Sequence, residues 1–376
     1  MNQLIYKLDP TMFRKVTPFL ETMDYNLAPR AVIEGNAPGD VYVDDGVDPR
    51  AALIHVGHRF YLVGTPDNEA FNGAVGGFFT ETVYPQAIAE GKNMFVLYYA
   101  PDGWSDRLDA ILPGKFPRQD MRQAYSLEGS RDVRPSPLPD GFVLRDVDRD
   151  LLNEDDLGNL DDLVEEVHSE APSVDDFLAN RFGVCVVHEG ALVGWCLSEY
   201  NCGDRCEVGI ETVEEYRRRG IATAMATALA RRAFSSGITH VGWHCWADNA
   251  GSIATALKAG FEKVRDYQVA FAWFDELTNL AVHGNLCFRD GEIEEAVAWF
   301  ERAMRIGDAP AWVYWNAACA NARLGEDETA MAYVHRAIDA GFDDLEHLRN
   351  SEHLKHLHDR PGWRALIDRL ISGGFP

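Results

Sequence analysis

One six-residue turn constrains this chain more than any other stretch: Arg217-Arg218-Arg219-Gly220-Ile221-Ala222. Its spacing, Arg-x-x-Gly-x-Ala, turns backbone N–H groups inward at the start of a helix. Unpaired donors and the positive end of the helix dipole together suit a diphosphate. Gly220 permits close approach of the anion, and the small Ala222 keeps the first helical turn clear of it. The flanks support the reading. Upstream, residues 206–213 alternate apolar and polar side chains, as a half-buried strand does. Downstream, Ile221, Met225, Ala228, Leu229 and Arg232 recur at helical spacing, and Gly237 supplies a stop. A second strand is expected over residues 239–246. It leads into the polar helix entry Asp248-Asn249-Ala250-Gly251-Ser252 and a helix ending near Gly260-Phe261.

Taken in order, three motifs make residues 140–275 resemble the GNAT (GCN5-related N-acetyltransferase) superfamily. They are the segment from Glu211-Thr212 to Ala222-Thr223, the pair Asn249-x-x-Ser252, and Ala259-Gly260-Phe261. The resemblance implies an α/β fold with a mixed sheet whose two central strands splay around acetyl-CoA as co-substrate. It implies that backbone near Thr212 and Val213 pairs with the pantetheine arm. Arg217, Arg218, Arg219, Gly220, Ile221, Ala222 and Thr223 would cradle the pyrophosphate, and Asn249 and Ser252 would hydrogen-bond the cofactor. Plain helix capping is the other reading of Asn249 and Ser252. Solvated surface charge is the other reading of the three arginines, although forked arginine–phosphate bonding is expected from at least one.

The implied chemistry moves an acetyl group from a thioester to an amine. An alkylammonium cannot attack, so a base or a water relay must take a proton. Glu207 and Glu211 lie two strand periods apart and share a face. Glu211 is the first candidate for the base, Glu207 the second, and Glu199 on the preceding strand the third; a merely solvent-facing role is the alternative. Many relatives carry a tyrosine four residues before the Gly-Phe glycine to protonate the departing thiolate. Here that residue is Ala256. Tyr200 and Tyr267 read first as packing aromatics, so the acid is unassigned. A thiolate with a parent pKa of ~8.5 leaves tolerably without one. The departure also keeps a second function open, a non-catalytic acyl-CoA sensor or scaffold. His240 and His244 share a strand face, and Cys202 and Cys206 are four apart, but neither pair brings a complete ligand set. No metal is expected.

Composition bounds the rest. A chain of 376 residues suits two or three domains, and 46% hydrophobic residues allow a sizeable core. A formal charge of −25 argues against nucleic-acid or anionic-membrane binding. It suits a cationic acceptor, or solubility alone. Seven cysteines without a paired framework fit reduced thiols in the cytoplasm. The first ten residues carry no signal-type apolar core, and no apolar run reaches membrane-spanning length.

Ser136-Pro137-Leu138-Pro139-Asp140-Gly141 reads as a linker. Before it, residues 1–137 read as an α/β domain, with strands over 41–43, 51–56, 59–63 and 94–99 and a helix over 69–89. This order echoes a GNAT half without the cofactor motif, as in acetyltransferases similar to zwittermicin-resistance proteins. Residues 138–275 form the transferase domain, and 276–376 an all-α domain. There a 34-residue self-similarity matches Gly291 with Gly325, Leu280 with Tyr314, Ala296 with Ala330, Phe300 with Val334 and Ala303 with Ala337. The pattern resembles tetratricopeptide (TPR) repeats, with Gly284, Ala296, Phe300 and Ala303 on motif positions and Pro361 opening a last helix. Trp299, Trp312, Trp315 and Trp363 line a docking groove or pack the repeat core. Expected partners are a small-molecule amine or peptide acceptor, and a protein partner or second copy through the helical module. Small amine, aminoglycoside-like antibiotic, amino acid and protein terminus all stay open as acceptors.

Overall fold

The computed structural model describes residues 5–373. The chain divides into two compact units: one holds residues up to Thr80 and Phe95–Phe271, the other Glu81–Met94 and the chain from Ala272 onward. In chain order the elements begin with β1 (Tyr6–Lys7), α1 (Ala28–Glu34), β2 (Asp40–Val43), β3 (Ala51–Val56), β4 (Arg59–Gly64) and α2 (Glu69–Phe78). Then come α3 (Tyr84–Ala89), β5 (Met94–Ala100), α4 (Leu108–Ile111), β6 (Arg118–Glu128), β7 (Phe142–Asp146), α5 (Leu160–Glu170) and α6 (Val174–Asn180). The series continues with β8 (Gly183–His188), β9 (Ala191–Cys202), β10 (Arg205–Thr212), α7 (Ile221–Ser235), β11 (His240–Trp246), α8 (Ala250–Ala259) and β12 (Glu262–Trp273).

The twelve strands form one mixed sheet in the order β1-β2-β3-β4-β5-β12-β6-β11-β10-β9-β8-β7. Most pairings are antiparallel; β4 with β5 and β10 with β11 run parallel. β8 and β9 are apolar on both faces because helices cover them. Cys185, Val186, Val193 and Cys196 are fully buried, and Ile221, Met225 and Leu229 of α7 pack in the same cluster as Val186, Val193 and Cys196. β6 lies outside the alternation-based reading. It is polar along much of its length, yet it sits between β11 and β12, antiparallel to both, from His240↔Glu128 and Glu262↔Ser126 onward. The helical run expected over 69–89 forms, but a π-turn over Phe79–Val83 interrupts it. Pro85 just beyond has no N–H to continue the ladder. Residues 132–139 lie in neither helix nor strand.

Beyond β12 the chain is helical: α9 (Glu276–Asp290), α10 (Ile293–Ile306), α11 (Ala311–Leu324), α12 (Asp327–Asp339), α13 (Leu345–Asn350) and α14 (Pro361–Gly373). Gly291 and Gly325, 34 residues apart, end α9 and α11 in the same left-handed conformation, φ 87° and 78°. Ala296 and Ala330, Phe300 and Val334, and Ala303 and Ala337 are all fully buried. At Gly284 the helices meet so closely that a Cβ would stand 2.7 Å from the Phe300 ring. Trp315 and Trp363 are buried, and Trp299 and Trp312 pack partly buried against the same core. Among the described residues, no helix is long and apolar enough to cross a membrane.

Candidate active site

β10 and β11 pair in parallel only from Arg205↔His240 to Val208↔Trp243. Beyond that point β10 keeps β9 as its neighbour to Thr212, β11 keeps β6 to Trp246, and the edge between them opens. The parallel pair of the first half behaves differently. β4 and β5 stay joined from Arg59↔Val96 to Val63↔Ala100.

Two cavities meet at the opening, sharing Ile210, Trp243, Asn249 and Ser252 in their walls. The larger, about 630 Å³, is bounded by Thr212, Arg217, Arg218, Gly220, Ile221, Ala222 and Thr223. Gly220 caps α7 with φ 83° and provides no side-chain hydrogen bond. The first intrahelical bond runs from Ala224 N–H to Gly220 O, so the N–H groups of Ile221, Ala222 and Thr223 have no intrahelical acceptor. Arg218 lines this cavity with no ion pair among the described residues, at a left-handed φ of 65°. Arg217 donates through Nε to Thr212 O and pairs with Glu211 at 3.2 Å. Arg219 turns away, donating to Glu215 O and stacking over Tyr216. Val213 also lies outside the cavity wall, its N–H donated to Val193 O. Asn249 Oδ1 caps α8 by accepting Ser252 N–H at 2.9 Å, which leaves its amide N–H groups for another partner. Ser252 Oγ accepts from Trp243 Nε1.

The smaller cavity, about 230 Å³, is lined by Glu199, Glu207, His244, Arg59, Arg122 and Tyr267, among others. Two glycines make room for its carboxylates. A Cβ at Gly209 would coincide with the Glu199 carboxylate, and one at Gly242 would stand 2.9 Å from Glu207 Cγ. Glu207 is buried and accepts Leu27 N–H at 2.5 Å. His244 bridges it to Tyr267, with Nε2 3.2 Å from Glu207 Oε1 and Nδ1 2.9 Å from the Tyr267 hydroxyl. Arg122 Nε donates to the same hydroxyl at 3.3 Å. For a neutral imidazole, donor chemistry fixes the direction of this chain. Arginine only donates and a carboxylate only accepts, so Tyr267 O–H donates to Nδ1 and Nε2–H donates to Glu207. Glu211, by contrast, is 52% exposed and belongs to the other cavity. The two sequence candidates share a strand but not a cavity.

Burial, reinforced by the Glu170, Glu166 and Glu207 carboxylates and opposed by Arg59, pushes the Glu199 carboxyl up to about 8. Unfolded, it would titrate near 4.5. Between those values the folded chain holds a proton that the unfolded chain has released, so this group costs stability progressively as pH rises from 4.5 to 8. Glu199→Gln removes the cost. Its melting temperature should match wild type at pH 5 and exceed it by roughly 3 °C or more at pH 8.5. A difference that stays flat across that range contradicts a buried carboxyl at this position.

Several members of this site escape a motif-based reading. Arg122 sits on β6, and the Leu27 N–H comes from a loop 180 residues before its acceptor. His244 carries a weak signal, its alternation on β11 with Trp243 and Cys245. Tyr200 is buried, its hydroxyl 2.5 Å from Arg59 Nη1, and Arg59 also binds Glu170. Ala256 is fully buried and places no hydroxyl at the family's usual acid position. All seven cysteines are free and buried, and no group of three or more His, Cys, Asp or Glu among the described residues is arranged to hold a metal.

Comparison with known proteins follows the same lines. Residues 17–270 match the family described as GNAT acetyltransferase. Over 243 residues the chain is 29% identical to the uncharacterized N-acetyltransferase YdfB of Bacillus subtilis (strain 168), covering 64% of this chain and 88% of that one. A GCN5-related N-acetyltransferase-like protein from Streptococcus suis 89/1591 shares 26% identity, with coverage of 70% and 98% and a TM-score of 0.49. A GCN5-related N-acetyltransferase from Sphaerobacter thermophilus shares 14%, with coverage of 73% and 97% and a TM-score of 0.48.

Proposed function

Since this chain belongs to the GNAT acetyltransferase family and is an acyltransferase, we propose that it carries an acetyl group from acetyl-CoA to the amine of a small-molecule or peptide acceptor. The observation that carries this reading is the parting of β10 from β11 beside the uncapped start of α7. In this reading the diphosphate lies against the N–H groups of Ile221, Ala222 and Thr223, with Arg217 and Arg218 beside it and Asn249 and Ser252 across the gap. The pantetheine arm runs along the free edge of β10 toward Thr212, and Arg219 supports the turn from outside.

The smaller cavity takes the acceptor. Its amine nitrogen bonds to the acetyl carbon, the C–S bond breaks, and the electron pair leaves on sulfur. Glu207, held by Leu27 N–H and His244, takes the amine's proton, directly or through water, and that proton leaves with the thiolate as CoA thiol. Glu211, in the wall of the larger cavity, and Glu199, beside Glu207, are the further carboxyl groups near the opening. A second reading, an acyl-CoA sensor without turnover, draws on the buried Ala256.

The uninterrupted β4–β5 pairing supports reading residues 1–137 as a half without its own cofactor site and 138–275 as the transferase. Equal burial 34 residues apart supports reading 276–376 as two tetratricopeptide-like repeats with a cap, suited to a protein partner or self-association. The free, buried thiols support a cytoplasmic setting.

Calorimetry tests the cofactor assignment. Acetyl-CoA should bind saturably, and acetyl-pantetheine, which lacks the diphosphate, at least about 100-fold more weakly. Equal affinities contradict it.

A further inference from the structure

The acceptor cavity contains two ionisable groups that the protein leaves without a partner, one a guanidinium and the other a carboxyl that burial keeps protonated up to about pH 8. Arg122 packs its guanidinium 4.8 Å over the Trp246 ring and 5.8 Å over Tyr98, and its Nε donates to Tyr267. Among the described residues no carboxylate pairs with it, and its two Nη groups are left without a hydrogen-bond acceptor. Arg59, the other arginine of the cavity, is committed: its Nη1 meets Glu170 at 3.1 and 3.2 Å and Tyr200 at 2.5 Å. Glu199 is the opposite case. Its carboxyl lies over Gly209 and makes no hydrogen bond or ion pair among the described residues, because the cation whose field it feels, Arg59, is already engaged. An uncommitted guanidinium with its fork free and an uncommitted carboxyl thus line one small cavity.

Both side chains are half-buried, and holding such groups partly out of water costs stability that a matching ligand would offset. The ligand that satisfies both carries an ammonium and a carboxylate on a frame small enough for about 230 Å³. Resting on the acetyl-transfer reading above, we propose that the acceptor is a free amino acid or a comparably small amino-carboxylate, whose carboxylate takes the Arg122 fork and whose amine docks at Glu199, within reach of Glu207. Aminoglycosides and polyamines offer cations alone and leave Arg122 unmatched. The N-terminus of a protein offers an amine whose nearest carbonyl is an uncharged amide.

The test measures initial rates of thiol release with the twenty standard L-amino acids, their methyl esters and their decarboxylated amines. The same compounds are titrated calorimetrically without acetyl-CoA. At least one amino acid should be acetylated, and its ester and amine should lose at least about 100-fold in kcat/KM, as expected of a site that leaves a buried polar group unpaired. Arg122→Met should collapse that ratio to less than about fivefold by loss on the amino acid alone, and Arg122→Lys should recover part of it, since ammonium keeps the charge but not the fork. Preference for esters, plain amines, polyamines or aminoglycosides overturns the proposal. So does failure of every amino acid both to bind and to react. Carboxylate- and Arg122-dependent binding without any thiol release sinks the transfer reading while upholding the amino-carboxylate site.

Discussion

Gly220→Glu is expected to weaken acetyl-CoA binding by more than about 100-fold while leaving a folded protein. Two effects separate cleanly at this position. Gly220 holds φ at 83°, a conformation that any L side chain strains, and strain of this kind costs about 1 kcal/mol. Space is not the obstacle, because a Cβ there would meet nothing within 4 Å. Gly220→Ala therefore reports strain alone, and its affinity should stay within about tenfold of wild type. The glutamate adds a carboxylate at the helix start where the diphosphate is read to lie. At an effective dielectric near 20, like charges about 5 Å apart repel by about 3 kcal/mol, enough to account for the two decades. Calorimetric dissociation constants for the three proteins check the expectation, with circular dichroism to confirm folding. Wild-type affinity in Gly220→Glu would remove the diphosphate from this turn.

Glu207→Gln should lower kcat by about 10² to 10³ with little change in KM for acetyl-CoA, the range in which general-base catalysis usually falls. The amide keeps the shape of the side chain and can still accept from Leu27 N–H, but it cannot take up a proton. Replacing His244 by glutamine should reproduce part of the loss, because His244 holds Glu207 through Nε2. Glu211→Gln should cost less than tenfold in kcat and act mainly on KM for acetyl-CoA, since Glu211 engages Arg217 in the larger cavity. Steady-state kinetics on the three variants decide between the carboxylates. The reverse pattern, a large kcat loss at Glu211 and a small one at Glu207, would return the base role to Glu211.

The contrast between these carboxylates shows where sequence reasoning stops. Strand parity correctly puts Glu207 and Glu211 two periods apart, but parity says nothing about neighbours. The β9 register shifts between Glu207 and Val208, and β10 loses β11 beyond Val208, so one carboxylate is enclosed and the other stands half exposed. The Arg217–Ala222 turn was legible because its requirements are local: a left-handed glycine, a small residue after it and a helix to follow. The matching helix ends and buried positions 34 residues apart were legible because small and large side chains recur at that spacing. Arg122 was not, because its importance arises only when β6 inserts between β11 and β12. Nor does a sequence reveal that Gly209 and Gly242 are spaces for acidic side chains of adjacent strands. Asn249 marks an intermediate case, since capping and cofactor contact draw on the same side chain, and its Oδ1 caps α8.

Acetyl transfer itself is tested most directly by incubating the 376-residue protein with acetyl-CoA and the amino-acid and amine panel, following free thiol and N-acetylated product together by mass spectrometry. The structure predicts thiol and acetylated amine in equal amounts, both lost in Gly220→Glu. Tight acetyl-CoA binding with no thiol and no product from any acceptor would contradict it and leave a sensor in place of an enzyme.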